Sequence, residues 1–142
     1  MNNLINRSST NELYALANKL GLKNVIIIRK NKFNDYQKDY ENIIMNLDDI
    51  NNGSHWICVN TKHKIYFDSY NQPMPNIIPK DYKQANSQFE IQSLNSEMCG
   101  QLCVLFLYYL QKNTHGKPNG RRQNPDKSIK EFYSKFKDVY PN

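Results

Sequence analysis

The sequence predicts a single α+β domain, and three features carry that prediction. They are an amphipathic helix at the front with its own start and stop signals, short β-branched segments in the middle, and a helix from Cys99 that is apolar nearly all round. At 142 residues one core is the expected arrangement, because domains usually run from about 50 to 250 residues and two cores would each be starved of apolar surface.

Ser9-Thr10-Asn11-Glu12 matches a capping box, and Leu13, Leu16, Ala17 and Leu20 follow at helical spacing until Gly21 ends the run. Val25 to Arg29 and Ile43 to Leu47 are apolar and β-branched, separated by a charged stretch that reaches Glu41, and both read as buried strands. Asn51-Asn52-Gly53 signals a turn, after which His55 to Asn60 and Lys64 to Asp68 form a hairpin across Thr61, Lys62 and His63. Pro73, Pro75 and Pro79 break regular structure, and Tyr82 to Gln92 reads as a short helix followed by a strand. The segment Cys99 to Leu110 is the helix expected at the centre of the core. A basic loop with Gly116, Pro118, Gly120 and Pro125 precedes a last helix from about Asp126 to Lys137.

Charge and cysteine usage narrow the function classes. The longest apolar run, Val104 to Leu110, is far shorter than the roughly 20 residues a bilayer requires, so no membrane span is expected. The polar stretch Met1 to Thr10 lacks the apolar core of a secretory signal, which makes the inside of a cell the expected setting. Cys58, Cys99 and Cys103 cannot all pair with one another, so at least one thiol is free, and none stands in a C-x-x-C spacing. The net charge is +6, and from Lys112 onward eight Lys/Arg stand against three Asp/Glu. A segment of that density suits a polyanion such as nucleic acid, or forms an ordinary solvated face.

A cysteine at the first turn of a buried helix faces unpaired backbone N–H groups and the positive end of the helix dipole, and both favour thiolate over thiol. Gly100 leaves room beside it for a substrate backbone, and the Cys99 N–H is placed to help bind an oxyanion. A packed core cysteine is the alternative. His55 opens one strand of the predicted hairpin and Asp68 ends the other, so the two ends can lie side by side. A carboxylate there accepts one imidazole N–H and leaves the other nitrogen to take a thiol proton. Taken singly, His55 also reads as a loop histidine and Asp68 as a turn former. Gln92 carries an amide suited to the same oxyanion, and Trp56 is expected either to pack on the imidazole of His55 or to fill the core. His63 and His115 have no partner at metal-ligand spacing and read as surface residues.

The succession Gly53-Ser54-His55-Trp56, Ile65-Tyr66-Phe67-Asp68, Gln92-Ser93 and Cys99-Gly100, followed by Cys103 and Phe106-Leu107, resembles the adenovirus-type maturation proteases. These cysteine endopeptidases are relatives of the ubiquitin-like-protein proteases. The resemblance extends from Glu12-Leu13 to the Tyr133 to Tyr140 region. It implies an α+β fold with a small mixed sheet packed between helices and the cysteine at the N-terminus of a central buried helix. It also implies Cys99 as nucleophile, His55 as base, Asp68 as third member, and Gln92 with the Cys99 N–H as oxyanion hole. The implied substrates are viral capsid and core precursors cut at small-residue, glycine-containing sites, and the implied setting is the virion and the infected cell's cytoplasm or nucleus. The short Asn/Lys-rich chain is similar to proteases of virophages and related adenovirus-like elements.

Two departures from the adenovirus pattern matter. The third position is Asp68 where Glu is usual, as in the deconjugating relatives, so an isopeptidase acting on ubiquitin-like modifiers is the second reading. Residues 69 to 91 hold no cysteine, so activation through a disulfide-linked peptide is not expected. No cofactor is required by the sequence. DNA is a candidate activator through Lys117, Arg121 and Arg122, and a nucleic-acid-binding protein with a structural cysteine is the reading from another class. A monomer is expected.

Overall fold

The computed structural model describes residues 9–47, 55–88, 98–114 and 124–136. Helix α1 (Thr10–Leu20) begins as its sequence demands: the Ser9 hydroxyl accepts from the Glu12 N–H and the Glu12 carboxylate accepts from the Ser9 N–H. It ends at Gly21, whose φ of 78° is the left-handed conformation that glycine adopts without strain. Strand β1 (Val25–Arg29) follows, then a 3₁₀ turn (Lys30–Lys32) and the four-residue helix α2 (Phe33–Tyr36) inside the charged stretch. The next strands are β2 (Asn42–Asn46), β3 (Trp56–Asn60), β4 (Ile65–Phe67) and the two-residue β5 (Lys83–Gln84). Helices α3 (Cys99–Thr114) and α4 (Pro125–Phe136) complete the described chain.

The five strands form one mixed sheet in the order β1-β2-β3-β4-β5. The outer pairs β1·β2 and β4·β5 are parallel, and the inner pairs β2·β3 and β3·β4 are antiparallel. Asn42 and Asn60, partners in the β2·β3 register, fix that pairing from within. Asn60 Nδ2 donates to Asn42 Oδ1 at 3.0 Å, and Asn42 Nδ2 donates to the Lys23 carbonyl at 2.8 Å. Both side chains are buried, and a one-residue slip would leave these amides without partners.

One face of the sheet, with Ile44, Cys58, Ile65 and Phe67, packs under α1, α3 and α4. The Phe67 ring stacks on Phe106 at 4.4 Å, and Phe132 of α4 meets both edge-on. The other face, with Ile43, Ile57, Val59 and Tyr66, is closed by Phe33 of α2 and by Ile78 and Tyr82. The long helices therefore lie on one side, and a short helix with the proline-punctuated segment covers the other. Among the described residues no helix is long and apolar enough to cross a membrane.

Three boundaries differ from the sequence reading. In the Tyr82 to Gln92 stretch a strand, β5, precedes the short helical turn, a 3₁₀ turn (Ala85–Gln88), and the part of the stretch where a following strand is expected, residues 89–92, lies outside the described residues. The free edge of β4 is the reason, since Lys83 N–H donates to the Lys64 carbonyl at 2.8 Å and draws the chain into the ladder. Helix α3 continues to Thr114, and its Gln111 binds the end of α1, accepting from Lys23 N–H and donating to the Gly21 carbonyl. Helix α4 starts at Pro125, where a missing N–H costs nothing, and Asn124 caps it by accepting from the Asp126 N–H.

Candidate active site

The β3·β4 hairpin delivers two polar side chains to one end of the sheet. His55 lies just before β3 and Asp68 just after β4, and His55 Nε2 is 2.7 Å from Asp68 Oδ1. With the carboxylate ionised, Nε2 carries the proton and donates. The Asp68 side chain is 0% exposed and that of His55 17% exposed, so the pair sits at the protein boundary with its acid inside. The Asp68 carboxylate also organises the turn that follows. Oδ1 accepts from the Tyr70 N–H at 2.8 Å and Oδ2 from the Gln72 N–H at 3.4 Å. The Asp68 carbonyl accepts from the Asn71 N–H, and Asn71 adopts a left-handed φ of 58° that asparagine tolerates. One aspartate thus orients an imidazole and shapes a loop.

Cys99 is the first residue of α3 and is 5% exposed. Its Sγ accepts from the Trp56 backbone N–H at 3.3 Å, which ties the sulfur to the residue next to His55. The imidazole pKa is pushed up from 6.5 to about 9. Burial is the largest influence and acts downward, but it is outweighed by the hydrogen bond to Asp68, by Cys99, and by the negative charge these two groups bring. The remaining ring nitrogen, Nδ1, is buried and completes no hydrogen bond among the described residues. Cys99 stands beside the ring without closing an aligned bond to it, so Nδ1 is the nitrogen left to exchange a proton with the sulfur.

The other cysteines are core residues. Cys58 and Cys103 are buried, Cys58 Sγ lies 3.7 Å from the Cys103 carbonyl, and burial with Cys58 alongside pushes the Cys103 thiol well up. The sequence offers three thiols, and the structure sets one of them at a helix start beside an imidazole.

Gly100 also answers to the packing around it. A Cβ there would come within 3.0 Å of both Leu13 Cδ2 and Trp56 Cδ1, so its bare backbone lets α1 and the Trp56 indole close over the start of α3. Trp56 serves the site through its backbone N–H, while its ring packs against Gly100. The ring against His55 is that of Tyr70, with centroids 4.0 Å apart and planes at 49°. Sequence reasoning passed over Tyr70. Its signal lay in the ladder, because counting outward from the Cys58↔Phe67 pair brings position 70 opposite position 55.

Gln92 and the basic trio Lys117, Arg121 and Arg122 lie outside the described residues, as does His115. No protein-family model, no curated protein and no solved structure matches this chain, so the likeness to the adenovirus-type endopeptidases rests on the residues of the sequence itself.

Proposed function

We propose that the chain is a cysteine endopeptidase with the fold of the adenovirus-type and ubiquitin-like-protein proteases, using Cys99 as nucleophile, His55 as acid–base and Asp68 as orienting carboxylate. The observation that carries this reading is the 2.7 Å His55–Asp68 pair standing beside a cysteine that opens a helix. An arbitrary core cysteine has no reason to share its surroundings with an oriented imidazole.

In the proposed reaction the Cys99 proton passes to His55 Nδ1 and Sγ bonds to the scissile carbonyl carbon. The carbonyl oxygen becomes an oxyanion near the backbone N–H groups of the opening turn of α3, with Gln92 as a side-chain donor. The C–N bond then breaks, Nδ1–H gives its proton to the departing amine, and a thioester to Cys99 remains. Water attacks that thioester with its proton taken by Nδ1, which releases the acid and restores the thiol. An imidazole pKa raised to about 9 makes Nδ1 a good acceptor for the Cys99 proton, which it keeps until the departing amine receives it.

The proposed substrates are capsid and core precursors of the genetic element encoding the chain, cut beside small residues. DNA would act as activator through Lys117, Arg121 and Arg122. Asp68 as the third member favours one second reading, a deconjugating isopeptidase. The test is cleavage of recombinant capsid precursor by wild type and Cys99→Ala, with and without DNA, with mass spectrometry of the new ends. Cysteine-dependent cutting beside glycine is the expected result. Undiminished cutting by Cys99→Ala overturns the proposal, and a covalent adduct with a modifier-aldehyde probe in place of precursor cleavage moves it to the isopeptidase.

A further inference from the structure

Among the described residues, Tyr70 is the large hydrophobic side chain that remains exposed, at 41%. Its location is not arbitrary. One side of the ring lies on the His55 imidazole at 4.0 Å, and its backbone N–H is fixed by the same Asp68 oxygen that holds Nε2. The phenol is therefore held by the catalytic pair on one side and presented to solvent on the other. A solitary exposed tyrosine on a rigid turn is the kind of side chain that contributes contact area to a protein ligand at little entropic cost.

The chemistry of the proposed peptidase says which part of a ligand meets it. The leaving amine must receive its proton from His55, so the substrate residue that follows the scissile bond passes the imidazole as it departs. A ring packed at a tilt against that imidazole borders the same path. We propose that Tyr70 forms the binding surface for the substrate residue on the leaving-group side of the cut, and that it favours an apolar or aromatic side chain there. This inference rests on the endopeptidase reading.

The test uses two substrates with one acyl half ending in glycine: a peptide with phenylalanine after the scissile bond, and the methyl ester of the same acyl half. In both, kcat/KM reports formation of the thioester to Cys99, but only the peptide offers a side chain to Tyr70. Tyr70→Ala is expected to lower kcat/KM on the peptide about tenfold more than on the ester, the loss typical of an aromatic anchor. Tyr70→Phe is expected to keep the wild-type ratio of peptide to ester kcat/KM. An equal fall on both substrates would mean that Tyr70 acts through His55 alone, and no fall on either would mean that it contacts nothing; each result overturns the inference while the peptidase reading survives. Wild type that turns over neither substrate overturns both.

Discussion

Replacing Asp68 with asparagine would separate the electrostatics of the hairpin end from its shape. The amide can still accept from Nε2, but the charge that holds the His55 proton is gone. The imidazole pKa lies at about 9 in the folded chain, against 6.5 for the free side chain. A folded-state pKa raised in this way contributes stability that is fully present below 6.5 and is lost as pH rises through about 9. At 1.36 kcal/mol per pH unit the interval corresponds to about 3 kcal/mol, and partial solvent access to the ring reduces it to about 2 kcal/mol. Urea unfolding of wild type and Asp68→Asn at pH 6, 7.5 and 9.5 measures the difference directly, because other groups titrating over this range cancel in the comparison. Wild type should lose up to about 2 kcal/mol more than the variant between pH 6 and 9.5, and the His55 ring resonances should titrate near 9 in wild type and at lower pH in the variant. Parallel stability curves, or a wild-type imidazole titrating near 6.5, would refute the reasoning.

Two other outcomes follow from the packing. Gly100→Ala should destabilise the protein by about 1 to 3 kcal/mol, since the added methyl meets Leu13 and Trp56 at 3.0 Å in a filled core; thermal melting checks this, and an unchanged midpoint would show that α1 gives way freely. Limited iodoacetamide treatment followed by peptide mapping should place the first label on Cys99, which keeps 5% exposure at a helix start, with Cys58 and Cys103 protected until the chain unfolds, because both are 0% exposed and the Cys103 thiol is pushed up.

Several features were legible because local chemistry determined them. The Ser9/Glu12 box and Gly21 mark both ends of α1, and the turn residues between Asn60 and Lys64 mark the hairpin. That hairpin alone brings His55 to Asp68, so a pair 13 residues apart was readable from two strands and a turn. The illegible parts depend on contacts distant in sequence. Strand β5 has two residues and no apolar pattern, and it exists because β4 presents an open edge. Helix α2 is a single turn held by one buried ring, Phe33. Gly100 beside a reactive-looking cysteine suggested substrate access, and only the fold shows that Leu13 of α1 and Trp56 of β3 also close on it. Tyr70 looked like part of a turn, and only the register of the ladder places it at the imidazole.

The tie between Gln111 and the end of α1 has a consequence for how the chain comes to life during synthesis. His55 and Asp68 belong to one hairpin, so their approach depends on contacts local in the chain. Cys99 is held differently: α3 is moored to α1 at its far end through bonds spanning 88 and 90 residues, and Phe106 reaches back to stack on Phe67. Cys99 therefore takes its place only after translation has passed it by at least three helical turns. A nascent chain that already carries all three candidate residues has yet to bring them together, because assembly of the candidate site waits on the docking of α3 against α1.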